Sequence, residues 1–330
     1  MTDRQVTRLR ELDAAKGLAI TLVVWGHIVA RDHRPLGNDW YAWFNGRLYA
    51  FHMAFFFFLA GYVYFMRPDS NAWARWKKTA SRLVPAYIMF VLIIFSAKLV
   101  AASYLSVDRP VGAIGSELAL QFLFPTQGFA SFLWFIVVIL QIQILAPLTL
   151  ALLGGRLVPA LLLALALHLL SVFGWFTELF ALQQLTRYLL FFLLGAAVVP
   201  NRERINHFVD RSMSWLLPLF LVLLLTLPGA WLPTVAGLLC LPALMAPIRW
   251  LDRHDRVRWL VFLGVNSFTI YLMNSLSLGL GRALIIQTTG WDHWRFPVAA
   301  VVLLTLGLVL PVIVQRLTFG RFQVLDRMTR

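Results

Sequence analysis

Asp13-Ala14-Ala15-Lys16-Gly17-Leu18-Ala19-Ile20-Thr21-Leu22-Val23-Val24-Trp25-Gly26-His27 is an apolar run with one cation near its start and one imidazole at its end. It reads as the first membrane-spanning helix. Eleven positions separate Lys16 from His27, so at about 100° per residue His27 returns to within roughly 20° of Lys16, about 16 Å further along. Ionisable groups facing lipid are costly, so this face is expected to point into protein or a wet cavity.

The composition around that stretch excludes a soluble domain. Hydrophobic residues make up 60% of the 330-residue chain and mean hydropathy is +0.75, which reads as a polytopic membrane protein. The formal charge of +14 does not indicate nucleic acid, because the basic residues are spread between apolar runs instead of forming a basic domain. The single cysteine, Cys240, lies in an apolar run and allows neither a disulfide framework nor a cysteine metal site. Basic residues precede the first apolar run as in a signal peptide, but no small-residue cleavage site clearly follows it, so the segment reads as retained.

Ten apolar runs approach the length needed to cross about 30 Å of hydrocarbon. They cover about 12–30, 47–66, 83–104, 131–153, 157–174, 181–199, 214–228, 232–248, 260–286 and 297–317. The fold class expected is an all-α bundle of about ten transmembrane helices, formed by one domain over residues 1–330. On the connections that alternate to one side lie 21 of the 29 Lys and Arg residues, which places that side and both termini in the cytoplasm. Arg67 to Arg82, with Trp73 and Trp76, reads as an interfacial segment on that face. The connection from Leu105 to Ala130 contains Asp108, Glu117 and an apolar Ile114–Phe124 stretch suited to a surface or re-entrant helix.

Counting along the spans puts His27, His52, Lys98, His168, Arg187 and Arg282 in the outer half. Arg187 and Arg282 are near enough to span ends to snorkel, and His168 alone reads as a packing residue. The runs LDAAKGLAITLVVWGHI, FHMAFFFFLAGYVY from Phe51 and SRLVPAY from Ser81 resemble the acyltransferase-3 family of integral-membrane acyltransferases. The family's opening pattern is a basic residue, ten residues and a His, here Lys16 and His27. Trp134-Phe135-Ile136 resembles the Trp-Phe-Leu branch. Phe135, Ile139 and Leu140 stand where other members have a Ser and a Glu, so no carboxylate partner for His27 is inherited there.

The resemblance implies transfer of an acyl group, most simply acetyl, from cytoplasmic acyl-CoA to a hydroxyl of a cell-envelope glycan or glycolipid at the inner membrane. His27 is then the general base. His52 orients it, binds the hydroxyl or relays a proton. Lys16, Arg75, Lys77, Lys78 and Arg82 offer positive charge to the coenzyme phosphates, with Asp13 also a local partner for Lys16. Trp134, Tyr271 and Asn274 are assigned to positioning; Asn274 stands where many relatives have a His and is not a base at neutral pH. No metal is called for. Oligomeric state is left open. A transporter of a glycan, lipid or small metabolite, with Lys16, His27 and His52 as a proton relay, is the alternative.

Overall fold

A computed structural model describes residues 3–30, 34–66, 71–104 and 110–318, with backbone alone for 3–9. Arg31, Arg67, Asp108, Arg109, Arg321, Arg327 and Arg330, used above for orientation or loop assignments, lie outside the described residues, as do the side chains of Arg4 and Arg8. Fourteen α-helices are described: α1 (Asp3–Gly26), α2 (Asp39–Tyr49), α3 (His52–Phe65), α4 (Ala72–Ala101), α5 (Ile114–Leu123), α6 (Trp134–Leu152), α7 (Leu157–Val172), α8 (Leu182–Val198), α9 (Arg202–Arg211), α10 (Met213–Thr226), α11 (Leu232–Arg253), α12 (Arg258–Val265), α13 (Ser267–Thr288) and α14 (Arg295–Leu317). Among the described residues there is no strand.

Each of the ten apolar runs falls on a helix, but among the described residues seven helical stretches are long and apolar enough to cross a membrane, or eight if the bent pair α9–α10 is one span. The three that fall short are instructive. α1 carries Arg10, Glu11, Asp13 and Lys16, α7 has 16 residues, and α10 has 14 and joins α9 at a 78° bend. The second run is preceded by α2, so that α2 and α3 form one 27-residue stretch. The ninth run is broken at Asn266, whose Nδ2 donates to the Phe262 carbonyl at 2.7 Å and so competes with the backbone ladder. The Trp73–Arg82 stretch is not a separate interfacial segment: it forms the first turns of α4, which continues through Pro85. Ile114–Leu123 is a helix, α5, as the apolar run suggested.

Apolar side chains such as Leu92, Leu162, Val222 and Val301 are exposed on the outside, as expected where lipid is the solvent. Inside, phenylalanines 55, 57, 90, 191 and 192 are fully buried. Glycines set the two tightest seams. A Cβ at Gly61 of α3 would overlap the Phe192 carbonyl of α8, and one at Gly195 would overlap the Tyr62 nitrogen. Between α1 and α12, a Cβ at Gly17 would overlap the Leu260 carbonyl and one at Gly264 the Asp13 carbonyl. Such backbone approach supplies helix association where no hydrophobic effect acts between helices.

One end of the bundle is an ion-pair network. Arg10 reaches Asp255 at 2.6 Å and Asp252 at 3.5 Å, while Arg249 and Arg253 reach Asp210 at 2.9 and 2.6 Å. The last turn of α14 is at this end too, since Arg316 lies 5.7 Å over the Phe262 ring of α12. Hydrogen bonds from Arg258 and Arg10 hold the Asp255 carboxyl down at about 2. A lowered carboxyl contributes stability that is complete above the unfolded value near 3.9 and disappears as pH falls through about 2. Asp255 has a φ of 52°, which asparagine also tolerates. Asp255→Asn is therefore expected to lower Tm in detergent at pH 7 and to match the parent near pH 2; an equal gap at both pH values would refute this role.

Candidate active site

The C-terminal end of α1 is buried, and the carbonyls it leaves open need partners. Side chains from neighbouring elements supply them. Tyr41 Oη donates to Trp25 O at 2.5 Å, Asn45 Nδ2 and Tyr49 Oη to Gly26 O at 3.3 Å each, and Arg282 Nη1 to Ile28 O at 3.1 Å. His27 sits in the turn just beyond Gly26, not inside the helix. Its backbone is thus clamped between α2 and α13.

The imidazole has one clear partner. Asn274 Nδ2 donates to the carbonyls of Ile270 and Tyr271 at 3.0 and 2.7 Å, which leaves Oδ1 as the acceptor in the Asn274–His27 contact. His27 Nδ1 lies 3.0 Å from that oxygen, so Nδ1 carries the proton and donates. The neutral ring then presents Nε2 as a base, because a ring nitrogen's tautomer is set by the bond its partner nitrogen makes. Asn274 is fully buried. Tyr271 Oη donates to Phe132 O at 2.9 Å, and the Phe132 ring meets His27 edge-on at 6.4 Å.

His27 lines a cavity of about 850 Å³ whose wall comes from the ends of α1, α4 and α13, the starts of α3, α6 and α8, and the stretch leading into α6. The cavity lies at the end of α1 opposite the ion pairs. From Arg10 to His27 the chain advances about 25 Å. His52, Trp134 and Tyr271 also line it. His52 Nδ1 donates to Leu48 O at 2.7 Å, and its ring packs on Tyr49 at 4.8 Å. The rings of Phe57, Tyr188 and Trp134 form a triangular cluster, with centroids 4.8, 5.6 and 6.1 Å apart.

The sequence-predicted site therefore divides in two. His27, His52, Trp134 and Tyr271 share the cavity, with Asn274 behind His27. None of Lys16, Arg75, Lys78 or Arg82 is on its wall. Lys16, about 16 Å along α1 from His27, is not on the cavity wall and pairs with Asp13 at 2.9 Å. Arg75 lies 4.0 Å over the Tyr64 ring and donates to Tyr64 O at 3.0 Å, Arg82 lies 5.2 Å over Phe268, and Lys78 is exposed.

Three cations in the cavity wall were legible only as charges in apolar runs: Lys98, Arg187 and Arg282. The structure adds Tyr49, Ser131, Gln184 and Ser275 to the wall, none of which has a sequence signal of its own. His168 is a satisfied packing residue, buried between Arg187 O and Thr234 Oγ1 at 2.7 and 3.0 Å.

A polarised imidazole on a deep cavity in a membrane bundle is suited to removing a proton from a hydroxyl. No curated protein and no solved structure gives a significant match to the chain. The family model for the acyltransferase domain matches residues 9–316, taking in both the His27 turn and the helix that carries Asn274, and the chain belongs to the acyltransferase-3 family.

Proposed function

We propose that this membrane acyltransferase moves an acyl group, most simply acetyl, from cytoplasmic acyl-CoA to a hydroxyl of a cell-envelope glycan or glycolipid. The observation that carries the mechanism is the Asn274–His27 hydrogen bond on the cavity wall. In this reading the chain spans the inner membrane ten times, with both termini and the ion-pair network in the cytoplasm and the cavity in the outer half. In this reading the chain falls in the Trp-Phe-Leu branch, which the Trp134-Phe135-Ile136 segment resembles.

Nε2 of His27 takes the acceptor's proton as its oxygen bonds to the thioester carbonyl carbon. The carbonyl electron pair moves to oxygen and then returns as the carbon–sulfur bond breaks. The thiolate leaves and receives the proton from His27, restoring the neutral ring. Arg282 stabilises the transient oxyanion in this reading, because it donates to Ile28 O beside the His27 turn and lines the cavity. His52 binds the acceptor hydroxyl from the facing helix, and Trp134 and Tyr271 shape the space around the reacting carbonyl. Lys16, Arg75, Lys78 and Arg82 supply charge for the coenzyme phosphates at the cytoplasmic end, and Trp134 and Tyr188 of the aromatic cluster line the cavity.

The test is transfer of label from acetyl-CoA into glycan or lipid in membranes containing the protein; no incorporation and no thioester turnover across several donors and acceptor extracts would move the reading to transport. Asn274→Leu is expected to lower kcat by about 10- to 10²-fold, part of the 10²- to 10⁴-fold that a positioned base contributes, with KM for acetyl-CoA nearly unchanged. A change in KM alone would make Asn274 a binding residue and not the group that orients His27.

A further inference from the structure

Six of the helices that wall the cavity stand in a ring: α1, α3, α8, α6, α4 and α13. α1 packs on α3, α3 on α8, α8 on α6 and α6 on α4, while α13 packs on α1 from the other side. Five seams are thus closed. Among the described residues no seam of that kind joins α4 to α13. These two helices meet at Arg82, whose guanidinium lies 5.2 Å over the Phe268 ring. From that contact each advances about 16–18 Å to reach the cavity wall, α4 at Ile94 and α13 at Gly279.

Both helices are long and apolar enough to cross a membrane, so the gap between them faces lipid. Its borders are apolar. Leu99 and Val100 of α4 and Leu280 and Leu284 of α13 are exposed, and Leu280 lines the cavity although its side chain is 62% exposed. The cavity wall therefore continues onto the outside of the bundle at α13. Within, the wall is polar, with His27, His52, Gln184 and Ser275. Gln184 Oε1 is buried there with no hydrogen-bond donor among the described residues. A buried acceptor left unpaired is costly, and a ligand hydroxyl would supply the donor. The volume of about 850 Å³ is that of a site for one small molecule, about 300–1,000 Å³, which suits a headgroup and not a polymer. A polar chamber that opens between apolar helices has the polarity of an amphipathic ligand, head inside and chain outside. A water-soluble glycan needs no opening onto hydrocarbon. We propose that the gap between α4 and α13 is a lateral doorway from the bilayer and that the acceptor is a glycolipid, its hydroxyl-bearing head towards His27 and its chain left between the two helices. This rests on the acyl-transfer reading.

The doorway is tested on full-length protein carrying Ser275→Cys, labelled with bimane and reconstituted in phosphatidylcholine vesicles; the native Cys240 is fully buried. Emission should be lost when the lipid is brominated along its acyl chains and kept in unbrominated lipid. Emission indifferent to bromination would show the chamber closed to hydrocarbon and overturn the doorway. Ala97→Trp and Leu280→Trp narrow the gap from its two sides. Each is expected to raise KM for the acceptor by about tenfold while hydrolysis of acetyl-CoA is kept. Leu280 is already exposed, so its variant should fold, and unchanged transfer in both variants would overturn the route. The acylated product should partition into organic solvent; label confined to water-soluble glycan overturns the glycolipid assignment. Absence of any label would instead defeat the acyl-transfer reading, and the acceptor role with it, while quenching still decides whether the cavity opens to lipid.

Discussion

His27→Ala is expected to reduce label transfer from acetyl-CoA by about 10²- to 10⁴-fold, the usual contribution of a positioned general base. The folded protein should survive the change. The open carbonyls at the end of α1 are satisfied by Tyr41, Asn45, Tyr49 and Arg282 and not by the imidazole, so the turn keeps its anchors. Asn274 keeps its own bonds to Ile270 and Tyr271 and loses only one neighbour. His52 is turned by Leu48 and Tyr49 and keeps its own place on the cavity wall. Incorporation is to be compared at equal amounts of protein eluting as a folded species from size exclusion. Equal incorporation in variant and parent would remove His27 as the base.

The helices themselves were legible because apolar content survives in any register: each of the ten runs is helical. What hydropathy could not place were the breaks. Pro85, Pro147, Pro218 and Pro311 all lie inside continuous helices, whereas the chain breaks at Asn266 and Ser212. Freed backbone groups in membrane helices find partners on neighbours, so proline alone does not mark an end, whereas Asn266, whose side chain bonds the Phe262 carbonyl, does.

The same reasoning separates the legible half of the site from the hidden half. A histidine in the apolar first run is visible as a cost that needs a reason. Its partner lies 247 positions away and is a tertiary fact, though Asn274 was legible as a polar positioning group. No carboxylate stands at Ile139 or Leu140, and the group that reaches His27 is an amide from α13: with its N–H groups engaged by Ile270 and Tyr271, Asn274 orients the neutral imidazole as an acceptor. Lys16, Arg75, Lys78 and Arg82 were legible as cations and not as a site. Charge asymmetry across a membrane accounts for many Lys and Arg residues, and it says nothing about which of them faces a cavity.

The α1–α12 seam gives the largest expected effect on folding. Gly264→Ala puts a methyl group onto the Asp13 carbonyl, and Gly17→Ala puts one onto the Leu260 carbonyl. Neither obstacle is a side chain that can turn aside. Carbon and oxygen in close contact need about 3.3 Å, so the two helices must part along the seam, and overpacking of this kind costs about 1–3 kcal/mol or more. Each single variant should show a clear fall in Tm and in yield of folded protein. Gly115→Ala is the control, since a Cβ there meets nothing within 4 Å and the change favours helix. The two seam residues share one gap, with the Cβ position of Gly264 only 3.0 Å from Gly17 N. Once one methyl has opened the gap, the second enters space already made. The double variant should therefore lose less than the sum of the singles, the signature of coupled sites. Full additivity would mean that the helices yield separately at each glycine, and a Gly264→Ala protein as stable as its parent would show that the seam is not held at backbone contact at all.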